Sequence, residues 1–159
     1  MDINNAFESF ESVLCEQIAR HMFEIVDVDG PLVAILDHTG GFRPSDSSRF
    51  EELNLSEENL REMCVRIDDG EEPVITQMKE CTVILAQLAT ERTNCGYIVI
   101  VLPNATPERA MTDIGLVELV VGQANLTARL VEKNALLYEL RWKQYSPDSM
   151  YAESACLVN

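Results

Sequence analysis

Basic residues are scarce in this chain. It contains 12 Lys and Arg against 27 Asp and Glu, which gives a formal net charge of −15 at pH 7. Nucleic acids and anionic lipid surfaces are bound through clustered Lys and Arg. We therefore expect neither nucleic acid nor membrane as a partner. The simplest explanation of the acidic surface is that it keeps the protein soluble.

Signals for secretion and membrane insertion are also missing. The N-terminus lacks the basic start and the apolar run of a signal peptide. No uninterrupted apolar stretch reaches the roughly 20 residues that span a bilayer. The five cysteines form no C-x-x-C pair and are odd in number, which argues against a disulfide framework and favours a reducing compartment. We therefore expect a cytoplasmic protein.

The common motifs of catalysis and cofactor binding do not occur in the sequence. Only two histidines are present, and no E-x-x-H or H-x-E pattern supports a zinc site. The G-x-S-x-G, P-loop and dinucleotide-binding motifs are absent as well. We predict no metal site and no catalytic residue, and the sequence identifies no cofactor.

The chain has the length of one domain of ordinary size. We predict a single domain over residues 1–145 and a flexible tail over residues 146–159, where polar residues follow the last apolar periodicity. About half of the residues are hydrophobic. A domain of this size buries roughly 70% of the surface that its unfolded chain exposes, so it needs no disulfide to fold.

Apolar periodicity predicts the first elements of the domain. Apolar residues at helical spacing predict an amphipathic helix over residues 5–23. Leu32–Leu36 is apolar at every position, which is typical of a strand that is covered on both faces. A turn rich in Asp and Gly then leads to a return strand that begins at Phe42. Residues 43–55 are Ser-rich and are predicted as a loop with one helical turn.

The middle of the chain predicts a second helix and an antiparallel hairpin. Ser56 is a typical N-cap for a helix from Glu57 to about Ile67. Residues 73–78 predict a short edge strand. Residues 81–90 and 96–102 are strong strand candidates, and strands joined by so short a connection pair as an antiparallel hairpin.

The last predicted element is a long C-terminal helix. Thr106 and Pro107 are typical of an N-cap and the first helical position. A continuous helix from Pro107 to Lys143 would be roughly 55 Å long, whereas a domain of this size is roughly 40 Å across. An overhanging apolar end would need a partner, and a second copy is the simplest one. The alternative is a break at Gly115 or Gly122.

We therefore predict a homodimer in which the first and last helices form the interface. The predicted interface residues are Phe7, Phe10, Leu14, Leu130, Leu137, Leu140 and Trp142.

The chain resembles the GAF family of sensory domains. The resemblance rests on residues 97–137, where a strand leads into a capped helix with Gln123 and Ala128 near its centre, and on Leu32–Leu36 followed by an Asp and glycines. It implies an α+β, GAF-like (profilin-like) fold: a central antiparallel sheet, flanking terminal helices on one face, a ligand pocket on the other and a long C-terminal helix. Roadblock- and longin-type folds have a similar order of elements. The GAF motifs for tetrapyrroles and cyclic nucleotides are absent, so the ligand is unknown.

The loop after the first hairpin is the predicted ligand site. It carries two arginines and several serines in an otherwise acidic chain, which would suit a small anionic ligand. The alternative is that the arginines pair with Asp46, Glu51 and Glu52. The predicted ligand-binding residues are His38, Arg43, Ser45, Ser48, Arg49, Phe50 and Cys64.

Three functions remain open from the sequence. The first is a dimeric, non-catalytic sensory or regulatory module that binds a small molecule and signals through a partner protein. The second is a thiol-dependent redox enzyme that uses Cys64, Cys81 or Cys95, with Arg66 or Arg92 to lower the pKa of the thiol. The third is a ligand-free, roadblock-like dimeric scaffold.

Overall fold

The computed structural model describes the backbone of residues 3–23, 31–112 and 114–144, and the side chains of residues 12–22, 31–112 and 114–142. The predicted tail and the side chains of Phe7 and Phe10 lie outside these residues.

Helices and strands follow one another in the order α1 (Ile3–Phe23), β1 (Leu32–Leu36), β2 (Phe42–Pro44), α2 (Ser47–Leu53), α3 (Glu57–Asp68), β3 (Val74–Met78), β4 (Cys81–Ala89), β5 (Asn94–Pro103), α4 (Pro107–Thr112) and α5 (Ile114–Gln144). The strands form one antiparallel five-stranded sheet in the order β2-β1-β5-β4-β3. The predicted α+β class, the β4–β5 hairpin, the edge position of β3 and the long C-terminal helix are confirmed.

Both faces of the sheet are apolar, and β1 shows why. Val33 and Ile35 pack into the core beneath the terminal helices, whereas Leu32 and Ala34 pack into the core on the opposite face. Successive side chains of a strand point to opposite faces, so a strand that is apolar at every position must be covered twice. The predicted two-sided burial of β1 is confirmed.

Each face of the sheet has its own helical cover. On one face, α1, α4 and α5 contribute buried residues such as Ile18, Ala110 and Ala124. On the other face, Phe50 of α2 and Met63 of α3 are buried against the strands. The result is a helix–sheet–helix arrangement with two hydrophobic cores.

The prediction of a loop over residues 43–55 is wrong in part, because α2 forms there. The side chain of Asp46 accepts a hydrogen bond from the Arg49 amide and so caps the first turn of α2. Phe50 is buried and holds the helix on the sheet. Asn54 ends the helix in the left-handed conformation with φ 44°. The Asp46 cap and the buried Phe50 stabilise a helix in a segment whose many serines favour a loop.

The segment after Pro103 is helical over α4 and over α5, and residue 113 between them lies outside the described residues. The predicted single helix from Pro107 to Lys143 therefore stays a prediction at that position, whereas the alternative break at Gly115 or Gly122 is wrong, because α5 runs through both glycines. With 31 residues, α5 is still roughly 46 Å long at 1.5 Å per residue. Its outer end carries Leu140 and Trp142, which are exposed in the single chain.

Leu14 does not fit the predicted dimer interface. It is buried in the chain's own core between α1 and the sheet. It therefore has no surface to offer to a second copy. Leu130, Leu137, Leu140 and Trp142 are exposed.

One helix among the described residues, Ile114–Trp142, is long and apolar enough to cross a membrane by length and composition alone. The mean hydropathy of its most apolar 18-residue window is 1.3, although polar residues interrupt its apolar runs. The core helices of soluble proteins pass the same test. Ala124 and Ala128 on this helix are fully buried against the sheet.

Polar contacts fasten the β4–β5 turn to α5. The buried carboxylate of Glu132 accepts hydrogen bonds from the hydroxyls of Thr90 and Thr93, each at 2.7 Å. Asn125 Oδ1 accepts a hydrogen bond from the Ala89 amide at 3.0 Å. Satisfied buried groups of this kind specify how the helix sits on the hairpin.

Gly96 allows β5 to approach the end of β1. Its φ is +103°, and a Cβ atom at this position would lie 2.3 Å from the carbonyl oxygen of Leu36. Both the conformation and the space exclude larger residues. The residue that follows, Tyr97, is thereby held opposite Leu36.

We predict that Gly96→Ala lowers the free energy of unfolding by about 2 kcal/mol or more, because the new methyl group meets backbone at a positive φ. Gly122→Ala is the matched control. Gly122 lies within α5, and nothing stands within 4 Å of an added Cβ, so the substitution is expected to stabilise the protein by roughly 0.5–1 kcal/mol through helix propensity. Urea unfolding followed by circular dichroism measures both. Similar stabilities of the two variants would contradict the close contact at Gly96.

Candidate functional site

A cavity of about 970 Å³ lies between the end of β1, the turn that follows it, β2, α2, α3 and the side chain of Tyr97. This volume is at the upper end of the range for small-molecule sites. Its apolar wall is formed by Leu36, Phe42, Phe50 and Leu60. The cavity opens to solvent, since exposed side chains such as His38 lie at its edge.

Tyr97 on the central strand β5 forms the floor of the cavity. Its side chain is 3% exposed, and its hydroxyl donates to both carboxylate oxygens of Asp68, at 2.8 and 2.9 Å. The ring of His38 stands edge-on to the tyrosine ring at 5.2 Å. Burial, the hydrogen bond to Asp68 and the charge of Asp68 raise the pKa of Tyr97 far above its ordinary value. The floor therefore presents a neutral phenol at physiological pH.

Two phenylalanines form the wall near α2. The rings of Phe42 and Phe50 meet edge to face, with centroids 5.3 Å apart. Phe42 is placed by β2, where it lies opposite Leu36, and Phe50 is placed by the capped helix α2. With Tyr97 and His38, these rings give the cavity an aromatic lining.

The charged groups around the cavity are mostly acidic. The carboxylates of Glu51, Glu57 and Asp68 line it, and all three residues are exposed. Arg61 is the single Lys or Arg among the lining residues of the described chain. The resulting potential favours neutral or positively charged molecules over anions.

The predicted ligand-binding residues divide into two groups. His38, Phe50 and Cys64 line the cavity. The other four, Arg43, Ser45, Ser48 and Arg49, are not among its lining residues.

Arg43 faces away from the cavity because of the strand register. It lies opposite Ile35, whose side chain belongs to the core beneath the terminal helices. Directly paired residues of an antiparallel ladder share one face. The guanidinium therefore reaches α1, where it donates to Ser12 Oγ at 2.8 Å.

The three remaining residues support the local backbone or lie at the surface. The hydroxyl of Ser45 accepts a hydrogen bond from the Val33 amide at 3.2 Å. Ser48 is an exposed residue of α2, and the backbone amide of Arg49 donates to Asp46 in the N-cap.

Arg43 pairs with Asp37, and not with the acids that the sequence suggested. Arg43 Nη1 lies 2.7 Å from Asp37 Oδ2. The other carboxylate oxygen accepts hydrogen bonds from the Thr39 amide and hydroxyl and from the Gly41 amide. Burial alone would raise the pKa of Asp37, but the hydrogen bonds from Thr39, Arg43 and Gly41 and the charge of Arg43 hold the pKa below its usual range. This pair joins the turn at the edge of the cavity to α1.

We predict that Asp37→Asn lowers the free energy of unfolding at pH 7 by about 2–4 kcal/mol, because the Asp37 side chain is only 4% exposed and Arg43 would lose its partner. The pKa of Asp37 is lowered on folding, so its contribution is complete above the unfolded pKa of about 3.9 and is lost as the pH falls through the lower folded value. The stability difference between wild type and variant should therefore shrink below about pH 4. Exposed Asp69→Asn corrects for the loss of a carboxylate as such. A difference that stays constant from pH 6 to pH 2 would contradict the prediction.

The three cysteines considered for redox chemistry do not meet at one site. Cys64 and Cys81 lie on the α2–α3 face of the sheet, whereas Cys95 is buried on the other face with Cys15. Burial and the negative charge of Asp68 raise the pKa of Cys64 to about 11, and burial raises that of Cys81 as well. A reactive thiol requires the opposite shift. Arg66, one of the two arginines considered as an activator, forms an ion pair with Glu71.

We predict that Cys64 reacts with iodoacetamide at pH 8 roughly a hundredfold more slowly than an ordinary thiol, because two additional pKa units reduce the thiolate fraction by that factor. Asp68→Asn should raise the rate, since the carboxylate contributes to the high pKa. Asp69→Asn is the control at the neighbouring position. The rate is measured by mass spectrometry of the peptide that contains Cys64. Rapid labelling of wild-type Cys64 would revive the thiol-enzyme hypothesis.

Tyr97 and Asp68 are site residues that sequence reasoning missed. Tyr97 lies within the predicted strand over residues 96–102, and Asp68 directly follows the predicted end of the helix that begins at Glu57. A partial signal exists in the apolar pattern, because Tyr97 shares its parity along β5 with Val99 and Val101, which lie on the α2–α3 face. The pairing with Asp68 depends on how α3 packs, which no local pattern contains.

Comparison with protein-family models, curated proteins and solved structures finds no match to this chain. Functional inference therefore rests on the geometry of the cavity and on the chemistry of its lining.

Proposed function

We propose that this chain is a GAF-like sensory or regulatory module, non-catalytic, that binds a small molecule in the cavity beneath α2 and α3 and signals through a partner protein. The observation that carries the proposal is the open cavity of about 970 Å³ with a buried tyrosine at its floor. Terminal helices on one face of the sheet and a cavity on the other agree with the GAF resemblance. The acidic net charge, the odd number of cysteines and the absence of a C-x-x-C pair favour the cytoplasm as its location.

The lining favours a ligand with an aromatic or alkyl body and a neutral or positively charged group. Phe42, Phe50 and Tyr97 offer ring surfaces, and aromatic faces attract cations. Glu51 and Glu57 offer carboxylates at the opening. This proposal replaces the small anion expected from the sequence, because Arg43 lies on the other face of the sheet.

A ligand in this cavity would contact residues that connect the cavity to both helical layers of the fold. It would contact Tyr97, and the hydroxyl of Tyr97 holds Asp68 at the end of α3. Tyr97 also belongs to β5, whose opposite face packs against the terminal helices through Ile98 and Ile100. Binding that moves the Tyr97–Asp68 pair would thus affect the strand that connects both helical layers.

The two alternatives receive less support. Two of the three cysteines considered for the thiol enzyme, Cys64 and Cys81, have raised pKa values, and Cys95 lies on the opposite face of the sheet from them. A ligand-free scaffold has no need of a large cavity with an aromatic lining. A thermal-shift assay distinguishes the roadblock-like, ligand-free scaffold from a ligand-binding domain.

A thermal-shift assay with charge-matched probes tests the proposal. Phenethylamine and phenylacetate share an aromatic body and differ in charge, and inorganic phosphate serves as a simple anion. We expect the amine to raise the melting temperature, by about 2–4 °C for each kcal/mol of binding free energy. Phenylacetate and phosphate are expected to have no effect.

The variant pair Glu51→Gln with Glu57→Gln removes the charges at the opening and should abolish the shift caused by the amine. Its matched control changes the sequence neighbours, Glu52→Gln with Glu58→Gln, which are exposed on the same helices but do not line the cavity. Stabilisation by the two anions instead of the amine would overturn the ligand class. No shift with either these probes or a wider library of neutral aromatic compounds would favour the ligand-free scaffold.

A further inference from the structure

A stripe of exposed leucines runs along α5 on the side away from the sheet. We call it the leucine stripe; it consists of Leu116, Leu119, Leu126, Leu130, Leu137 and Leu140, all of them exposed. The spacing alternates between three and four residues once Gln123 and Lys133, also exposed, are included. This is the heptad pattern of a helix that packs against another helix over four repeats.

The leucine stripe lies opposite the face that α5 buries in its own domain. At 100° per residue, Val117, Ala124, Ala128 and Val131 cluster on one side of the helix, and all four are buried. The stripe is centred roughly 150° away from them and is roughly 36 Å long at 1.5 Å per residue. A helix with apolar residues on two opposite sides is covered on both in its functional state.

We infer that the leucine stripe is covered by α5 of a second copy of this chain, in an antiparallel arrangement whose two-fold axis crosses the stripe between Leu126 and Leu130, at the level of Ala128 along the helix. Antiparallel packing about this point places Leu116 opposite Leu140 of the partner subunit and Leu119 opposite Leu137 of the partner subunit. It also places Leu126 opposite Leu130 of the partner subunit. Each leucine thus meets a leucine, in a closed two-fold interface.

The two polar positions of the stripe select this direction. In the antiparallel arrangement Gln123 faces Lys133 of the partner subunit, and the amide oxygen accepts a hydrogen bond from the ammonium group. A parallel arrangement would instead place Lys133 against Lys133 of the partner subunit within an apolar seam, which is destabilising. The complementarity of glutamine and lysine is therefore present only when the helices run in opposite directions.

The other charged residues near the leucine stripe lie at its edge and are compatible with the dimer. Arg129 approaches its own copy near the two-fold axis, but it stays exposed at the rim, where salt screens the repulsion. Among the described side chains of α1, Glu16, Gln17 and Arg20 are exposed together with Val13, whereas α5 carries the six exposed leucines of the stripe. This dimer does not depend on a ligand in the cavity.

Sedimentation equilibrium at tens of micromolar tests the dimer. Wild type should be dimeric, and Leu130→Glu should be monomeric with an unchanged circular dichroism spectrum, because the residue is exposed in the single chain. Met111→Glu is the matched control: Met111 and Leu130 are both 56% exposed, but Met111 lies on α4 outside the heptad pattern, so its variant should remain dimeric. A monomeric wild type, or equal effects of the two variants, would overturn the inference.

Gln123→Glu tests the direction of the helices. The antiparallel arrangement forms two Glu–Lys pairs between subunits, and the dimer dissociation constant should fall by about threefold to tenfold at low salt. A parallel dimer would gain facing glutamates and dissociate more readily. Since Gln123 is exposed, neither result arises from unfolding of the domain.

Disulfide formation gives an independent readout. Leu116→Cys combined with Leu140→Cys should produce disulfide-linked dimers, and either single substitution should not. Efficient linkage of the single variants would show parallel helices and overturn the proposed register. Binding of the wild type to phosphatidylcholine vesicles in place of self-association would assign the stripe to a lipid surface, and would equally overturn the inference.

Discussion

The structure depends on the burial of a sheet that is apolar on both faces. β1, β4 and β5 carry hydrophobic residues at nearly every position, so the sheet is stable only when helices cover each side. The terminal helices α1 and α5, with 21 and 31 residues, cover one face. Within the described part of the chain, the opposite face is covered by the shorter helices α2 and α3, with 7 and 12 residues. This shorter cover leaves the end of the sheet near Leu36 and Tyr97 unfilled, and the cavity lies there.

The register of the first hairpin decides the electrostatics of the cavity. Because Arg43 pairs with Ile35, its charge is directed toward α1 and is neutralised by Asp37. A shift of one residue would move it to the other face of the sheet. The opening of the cavity therefore retains the acidic character of the chain as a whole. In this sense the strand register, and not the number of arginines nearby, determines which ligands are suitable.

The central strand β5 links the two surfaces to which we assign functions. Tyr97 contributes to the floor of the cavity, and Ile98 faces the core beneath the terminal helices. α5 packs on this core with one side and presents the leucine stripe on the other. A change at Tyr97 and a change in the pairing of α5 would thus act on one hydrophobic layer, which resists small distortions because it is closely packed.

Local patterns determined most of the secondary structure of this protein. The two-sided strand β1, the Ser56 cap of α3 and the hairpin of β4 and β5 follow from periodicity and capping, which act between residues close in the chain. The sequence predicts only one helical turn where the seven-residue α2 forms, because the stability of α2 comes from Phe50, whose burial requires the sheet to be present. The alternative of a helix break at Gly115 or Gly122 is wrong, since both glycines lie within α5. The leucines of α5 are evident in the sequence, but the sequence does not show which of them the domain buries and which it leaves exposed.

Only the tertiary structure decided the site. It separated Arg43 from the cavity, brought Tyr97 to Asp68 from a distance of 29 residues and placed Cys95 on the opposite face from Cys64. The sequence determines which residues are apolar and where elements begin, because these depend on neighbours in the chain. Which side chains share a cavity depends on strand register and helix packing, which are set by contacts between distant residues and by the burial of both sheet faces at once.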